Sequence, residues 1–215
     1  MDTCRQVIYV FIGMKPSPPA LKPGRPRAFN ADQALEKAMF VFWRKGYQGA
    51  SLADLTEAMG INRPSLYAAF GNKEELFRKV LDRYGRGPAS HVCEALEAAT
   101  AREVAEKILF GTVDLLSDPK NPPGCLGVNG ILVGGTEEEG MCREMAARRC
   151  AAVENLKKRL QRARKDGDLP AEADPGALAL FLATVAQGMS VQAASGANRP
   201  DLLRVARLAL QAWPS

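Results

Sequence analysis

Histidine is almost missing from this sequence: His91 is the only one in 215 residues. With it go most catalytic and metal-binding patterns, for there is no HExxH, GxSxG, Walker-type or GxGxxG motif. The glycines from Gly127 to Gly135 follow no strand of the kind that a phosphate-cradling loop needs. Catalysis by carboxylates alone is the one enzymatic route left open, and no motif points to it. Cysteine is present without a pattern. Cys4, Cys93, Cys125, Cys142 and Cys150 are odd in number, irregular in spacing and contain no CxxC pair, which excludes a disulfide scaffold and fits reduced thiols in the cytoplasm. Cys142 and Cys150 fall on one predicted helix roughly 12 Å apart, too far to share a metal, and His91 with Cys93 would leave a tetrahedral set incomplete. Long apolar runs are lacking near the start as well. Val7–Met14 (VIYVFIGM) is far shorter than the roughly 20 residues of a membrane span, and it lacks the basic leader and small-residue cleavage site of a secretory signal. No membrane partner is expected. Met14 offers a second reading, as the true start, with residues 1–13 then foreign to the native protein. Strand signals are absent throughout, so the chain is expected to be all-α.

What is there is positive charge in one place. Residues 1–86 carry 14 Lys and Arg against 8 Asp and Glu, whereas residues 87–215 carry 15 against 16, so the halves stand at +6 and −1 within a total of +5. An excess confined to one half suits contact with phosphates, each of which releases counterions. Residues 15–27, KPSPPALKPGRPR, hold five prolines and no periodicity, and residues 1–26 read as an extended arm. Arg25 and Arg27 on that slim backbone suit a narrow minor groove, the alternative being a solvated linker.

The stretch Gly46–Phe77, GYQGASLADLTEAMGINRPSLYAAFGNKEELF, carries the most specific pattern. Ser51 with Asp54 reads as a capping box ahead of Leu52, Leu55 and Met59. Gly60 supplies the left-handed stop, and Asn62 caps a second helix whose first turn tolerates Pro64, with Ile61 and Leu66 at staple positions. Upstream, Asn30 opens a helix through Leu35, Ala38, Met39, Phe42 and Trp43, ended by Gly46. Downstream, Asn72 with Glu75 opens another along Leu76, Phe77, Val80, Leu81 and Tyr84 until Gly85 and Gly87 interrupt it. Two short helices about a glycine turn, packed on a longer one, form the layout of a DNA-reading helix-turn-helix. Ser51 at a helix N-terminus can hold a phosphate. Arg63 can fork onto guanine O6 and N7, with Asn62 and Ser65 as lesser readers. Tyr67 turns away from the buried pair Leu66 and Phe70, and Lys73 suits a phosphate.

Residues 27–84 resemble the DNA-binding domain of the TetR family of bacterial transcriptional regulators. The likeness is carried by Gly46-Tyr47, Ser51, Gly60-Ile61, Leu66-Tyr67 and Phe70 to Lys73. GCL at Gly124–Leu126, GDLPAEADP from Gly167 and the closing ARLALQAWP resemble the C-terminal helical domain of one branch of that family. The resemblance implies DNA contacts at Ser51, Ser65, Tyr67 and Lys73, a specificity-setting position at Arg63, and a homodimer.

In the second half, Thr100 caps a helix to about Leu116, prolines 119, 122 and 123 break it, and an apolar segment runs from Gly124 to Val133. A long helix follows from about Met141 to Lys165, with Glu137–Glu139 at its start and Lys157, Lys158, Arg159, Arg162, Arg164 and Lys165 as a solvated basic end. Asp174-Pro175 and Pro200 open the last two helices. Cys125, in a first helical turn, is expected to have a lowered pKa and is a sensing candidate for oxidants, electrophiles or copper, the alternative being a small buried hydrophobe. His91 is expected at the surface beside a helix start.

The expected protein has an arm (1–26), a helix-turn-helix domain (27–86) and a ligand-binding and dimerisation domain (87–215). It would be a cytoplasmic homodimeric regulator, most simply a repressor, paired through residues 174–213. It would hold a near-palindromic double-stranded operator, use no cofactor or metal, and let go when a small-molecule effector binds. Two alternatives stand: a thiol-based redox, electrophile or copper sensor acting through Cys125, and a non-specific architectural DNA-binding protein.

Overall fold

The computed structural model describes residues 30–129 and 139–214, and every regular element among them is a helix. Arg25, Arg27 and the rest of the arm lie outside the described residues, as do Glu137, Glu138 and residues 130–133 of the apolar segment. Helix α1 (Ala31–Gly49) starts at Asn30, whose side chain accepts the amides of Asp32 and Gln33 at 2.9 and 3.3 Å. Gly46 breaks the helix, as expected. At φ 69° and ψ 175° this glycine bends the chain, and one further turn brings Tyr47 back against Phe42 and Phe77, with ring centroids 6.1 and 5.0 Å away.

Helix α2 (Leu52–Met59) packs on α1, and with α3 (Arg63–Phe70) it adds Leu55, Met59, Leu66 and Phe70 to the same core. Helix α4 (Lys73–Arg86) buries Leu76, Phe77, Val80, Leu81 and Tyr84, all five of its predicted apolar positions. It passes through Gly85 and stops at Gly87, whose N–H donates to the Arg83 and Tyr84 carbonyls.

A short helix not anticipated from the sequence, α5 (Ser90–Leu96), precedes α6 (Ala101–Ser117), which Thr100 caps as expected. After the one-turn α7 (Leu126–Asn129) come α8 (Glu139–Lys165), α9 (Pro175–Ala194) and α10 (Arg199–Gln211). Helix α6 lies at the centre of this second bundle, packed on α5, α9 and α10, while α8 packs on α9. Asp174 caps α9 through the amides of Gly176 and Ala177, and Asn198 with Asp201 forms a capping box on α10 ahead of Pro200.

Two predicted surface groups turn inward instead, Arg159 buried and His91 half-buried. Arg159 is inside, donating to the Ala98 and Ala99 carbonyls at 2.7 and 3.1 Å, so it closes the α5–α6 loop rather than joining a solvated basic end. His91 packs on Gly111, where any side chain would collide with its ring, and its Nε2 lies 3.3 Å from Thr112 Oγ1. Burial lowers the His91 pKa against the opposing pull of Glu94, the Pro88 backbone and Asp114.

The boundary expected at residues 86 and 87 falls in the turn between α4 and α5, but the cores do not divide there. Leu115, Leu126, Met141 and Met145 pack into the cluster built on α1 and α4. One buried hydrogen bond fixes this junction: Trp43 Nε1 donates to the Gly124 carbonyl at 3.0 Å, while the indole meets Tyr84 edge-on at 4.8 Å. Trp43→Phe leaves that carbonyl without its donor, so urea unfolding should show a loss of about 1–3 kcal/mol; an unchanged midpoint would mean the bond holds nothing.

Candidate nucleic-acid interface and internal cavity

The geometry of α2 and α3 follows from their caps. Ser51 Oγ accepts the Asp54 amide at 3.1 Å and donates to Asp54 Oδ2 at 2.8 Å, and the same carboxylate oxygen accepts the Ser51 amide at 3.0 Å. Lys45, from α1, adds an ion pair to Asp54 Oδ1 at 2.6 Å. Gly60, at φ 69° and ψ 32°, ends α2 in the left-handed conformation, and Ile61 N–H returns to the Thr56 carbonyl. Asn62 Oδ1 accepts the Ser65 amide at 2.9 Å, which leaves the rest of its amide facing outward at the start of α3.

This local chemistry fixes what each side presents. Leu66 and Phe70 are buried, whereas Asn62 and Arg63 are exposed, Ser65 is half-buried and Tyr67 is 48% exposed. Ser51 stands exposed at the N-terminus of α2. Its single hydroxyl proton is engaged by Asp54, so a phosphate there would take that proton in the carboxylate's place. Lys73, in the first turn of α4, is half-buried with Nζ 4.5 Å above the Tyr47 ring. Asn62, Arg63 and Ser65 thus stand at the start of α3 beside the α2–α3 turn, with Tyr67 further along α3, Ser51 at the far end of α2 and Lys73 at the start of α4. At the other end of α3, Lys79 of α4 donates to the Phe70 carbonyl at 3.3 Å.

Cys125 is remote from these residues. It precedes α7 at the wall of a cavity of about 350 Å³, walled chiefly by Leu81, Tyr84, Ile108, Met145 and Leu156. The expectation of a lowered pKa is overturned. Burial pushes the thiol up, outweighing the hydrogen bonds from Tyr84 and from the backbone of Gly127 and Val128. The N-terminal amides act in the expected direction, but loss of solvent is the larger effect. Tyr84 donates to Cys125 Sγ at 3.1 Å, and its own phenol is raised by burial first and by the thiol second. Thr112, bonded to His91, lines the same cavity, as do Arg148 and Arg149 of α8.

Sequence reading missed the polar seam beside this cavity. Arg78 on α4 pairs with Glu144 on α8 at 2.8 Å, and Arg148 on α8 pairs with Asp82 on α4 at 3.1 Å and with Glu144 at 3.2 Å. The two charged pairs recur at helical spacing on their own helices, a signal visible in the sequence, but which helix would face which was not.

The pattern of the bacterial regulatory proteins of the tetR family matches residues 34–80. The HTH-type transcriptional repressor ComR of Escherichia coli (strain K12) is 36% identical over 193 residues, spanning 89% of this chain and 92% of that protein. The HTH-type transcriptional repressor BdcR of the same organism is 31% identical over 196 residues, spanning 88% and 92%. Among solved structures, a cysteine mutant of the TetR family transcriptional regulator CifR, complexed with 26-bp double-strand operator DNA, is similar at a TM-score of 0.84 and 46% identity, covering 88% of this chain and 100% of that one.

The Lys45 and Ser51 bonds hold the Asp54 carboxyl at about 2, below its ordinary 3.8, the Lys45 hydrogen bond being the largest cause. A depressed carboxylate stabilises the fold above the unfolded pKa, and that contribution is lost as pH falls through the folded one. Wild type should therefore exceed Asp54→Asn in stability at neutral pH, with the gap closing between about pH 4 and pH 2 in acid-unfolding curves; a gap independent of pH would contradict the assignment.

Proposed function

Because the chain belongs to the TetR family of bacterial transcriptional regulators, and is a regulator rather than an enzyme, we propose that it is a repressor that binds a near-palindromic operator as a homodimer and is released by a small-molecule effector. The observation that carries the DNA reading is the division of α3 into a buried side, Leu66 and Phe70, and an outward side, Arg63 and Tyr67, with Ser65 half-buried beside them. In this reading residues 27–86 read DNA and residues 87–215 sense and dimerise, with the arm's Arg25 and Arg27 in the minor groove. Ser51 and the free amides of α2 clamp one phosphate, Lys73 meets another, and Asn62, Arg63 and Ser65 face base edges with Tyr67 beside the backbone. The protein works in the cytoplasm, where its operator lies.

Dimerisation is supported by what α9 and α10 leave uncovered. Leu180 and Val191 are 59% and 44% exposed on α9, and Val205 and Leu208 are 44% and 67% exposed on α10. Leu180, Thr184, Gly188 and Val191 recur along one face of α9, and the space above Gly188 is open, which lets a second helix approach closely. By length and composition alone α9 could cross a membrane. Its packing on α6, α8 and α10 favours reading its bare face as a protein interface.

The release reading rests on α4. This helix supplies Leu81, Tyr84 and Gly85 to the cavity and, through Lys79, holds the end of α3. A molecule filling the cavity would displace α4 and with it the spacing of two recognition helices. The thiol-sensor alternative keeps one supporting observation, the bond between Cys125 and Tyr84 of α4, but the raised thiol pKa weighs against a resting thiolate. Cys125→Ser separates the two, abolishing the response of a thiol sensor and sparing that of an organic-ligand regulator. A non-specific architectural role would make binding indifferent to competing random DNA.

Two substitutions should behave differently in titrations of operator and random DNA. Arg63→Ala is expected to cost about 1–3 kcal/mol on operator and to relax the preference at one base pair. Lys73→Ala should weaken both DNAs alike and reduce the salt slope by about 1. Equal losses from Arg63→Ala on both DNAs would overturn its place as a base reader.

A further inference from the structure

The cavity between α4, α6 and α8 has an uneven chemistry. Its wall is mainly aliphatic and aromatic, and the charged side chains lining it, among the described residues, are Arg148 and Arg149, with no carboxylate between them. Arg148 is engaged at 3.1 Å by Asp82 of α4 and at 3.2 Å by Glu144 of its own helix. Among the described residues Arg149 is engaged only by the Gly127 carbonyl at 3.4 Å, a long neutral contact, and no carboxylate of theirs pairs with it. A guanidinium with one weak neutral acceptor, at the edge of an apolar space, is matched by a single oxyanion on an apolar body.

We propose that this cavity binds an amphipathic carboxylate, its acid group on Arg149 and Arg148 and its hydrocarbon among Leu81, Ile108 and Met145. The proposal deepens the effector-released reading above and rests on it. It also supplies the differential contact that a shift between two states requires. Asp82 and the ligand carboxylate compete for the same Arg148, so binding draws that guanidinium off α4. Arg78 with Glu144 is then the remaining ion pair of the seam between α4 and α8. A neutral molecule of the same shape fills the space without competing for Arg148.

The test uses the full chain at neutral pH and a panel of octanoate, decanoate and 4-phenylbutyrate, each set against its own primary amide. Calorimetry reads binding and fluorescence anisotropy reads release of labelled operator. Carboxylates should bind at least about tenfold tighter than their amides, the scale of a charge-assisted pair against a neutral one. Arg149→Gln should erase that preference and Arg149→Lys retain most of it, with thermal unfolding checking that both variants are folded. Amides that bind as well as the acids, or a panel in which no acid binds, would overturn the proposal. If amides bind and release operator, the effector reading survives without its anion. If acids bind tightly and operator stays bound, the anion site survives and the effector reading does not.

Discussion

Phe77 and Tyr84 lie two turns apart on α4, and the rest of the molecule depends on both being buried at once. Phe77 packs against Phe42 and Tyr47 with centroids 4.8 and 5.0 Å away, which fixes α4 to the helix that carries the reading unit. Tyr84 packs edge-on to Trp43 and donates to Cys125 at the cavity wall. Aromatic pairs of this kind tolerate little displacement, because interiors are packed as tightly as crystals. Whatever moves one end of α4 must therefore be felt at the other.

The seam of Arg78, Asp82, Glu144 and Arg148 gives the same helix a second, different attachment. Its side chains are between 21% and 41% exposed, so water and salt reach them and their pairing is weaker than the aromatic contact. A rigid apolar joint towards DNA and a softer ionic joint towards the bundle is an arrangement in which a modest ligand can alter one contact without unfolding the other. The shared core strengthens this coupling, since Met141 and Met145 of α8 enter the cluster of α1 and α4.

Much of this was legible in the sequence because its signals are local. The caps at Asn30, Ser51, Asn62, Asn72, Thr100 and Asp174 each need only a side chain and an amide a few residues on, and all six form as expected. The five apolar positions of α4 were equally plain from their spacing. Failures came where a distant partner decides. Arg159 looked solvated within a basic run until the Ala98 and Ala99 carbonyls claimed it. Cys125 had the helix start that lowers a thiol pKa, while the burial that raises it comes from helices far away in the chain. His91 looked like a surface group, and is half-buried against a glycine on α6 that only the fold brings near.

Selection of bound sequences from a random DNA pool tests the central claim most directly, that two copies of α3 read DNA as a pair. The account predicts enrichment of an inverted repeat whose half-sites are centred about 10–10.5 bp apart, or a multiple of that, as two helices entering successive major grooves require. A pool that stays unenriched, or that yields a lone half-site without its inverted copy, would contradict it.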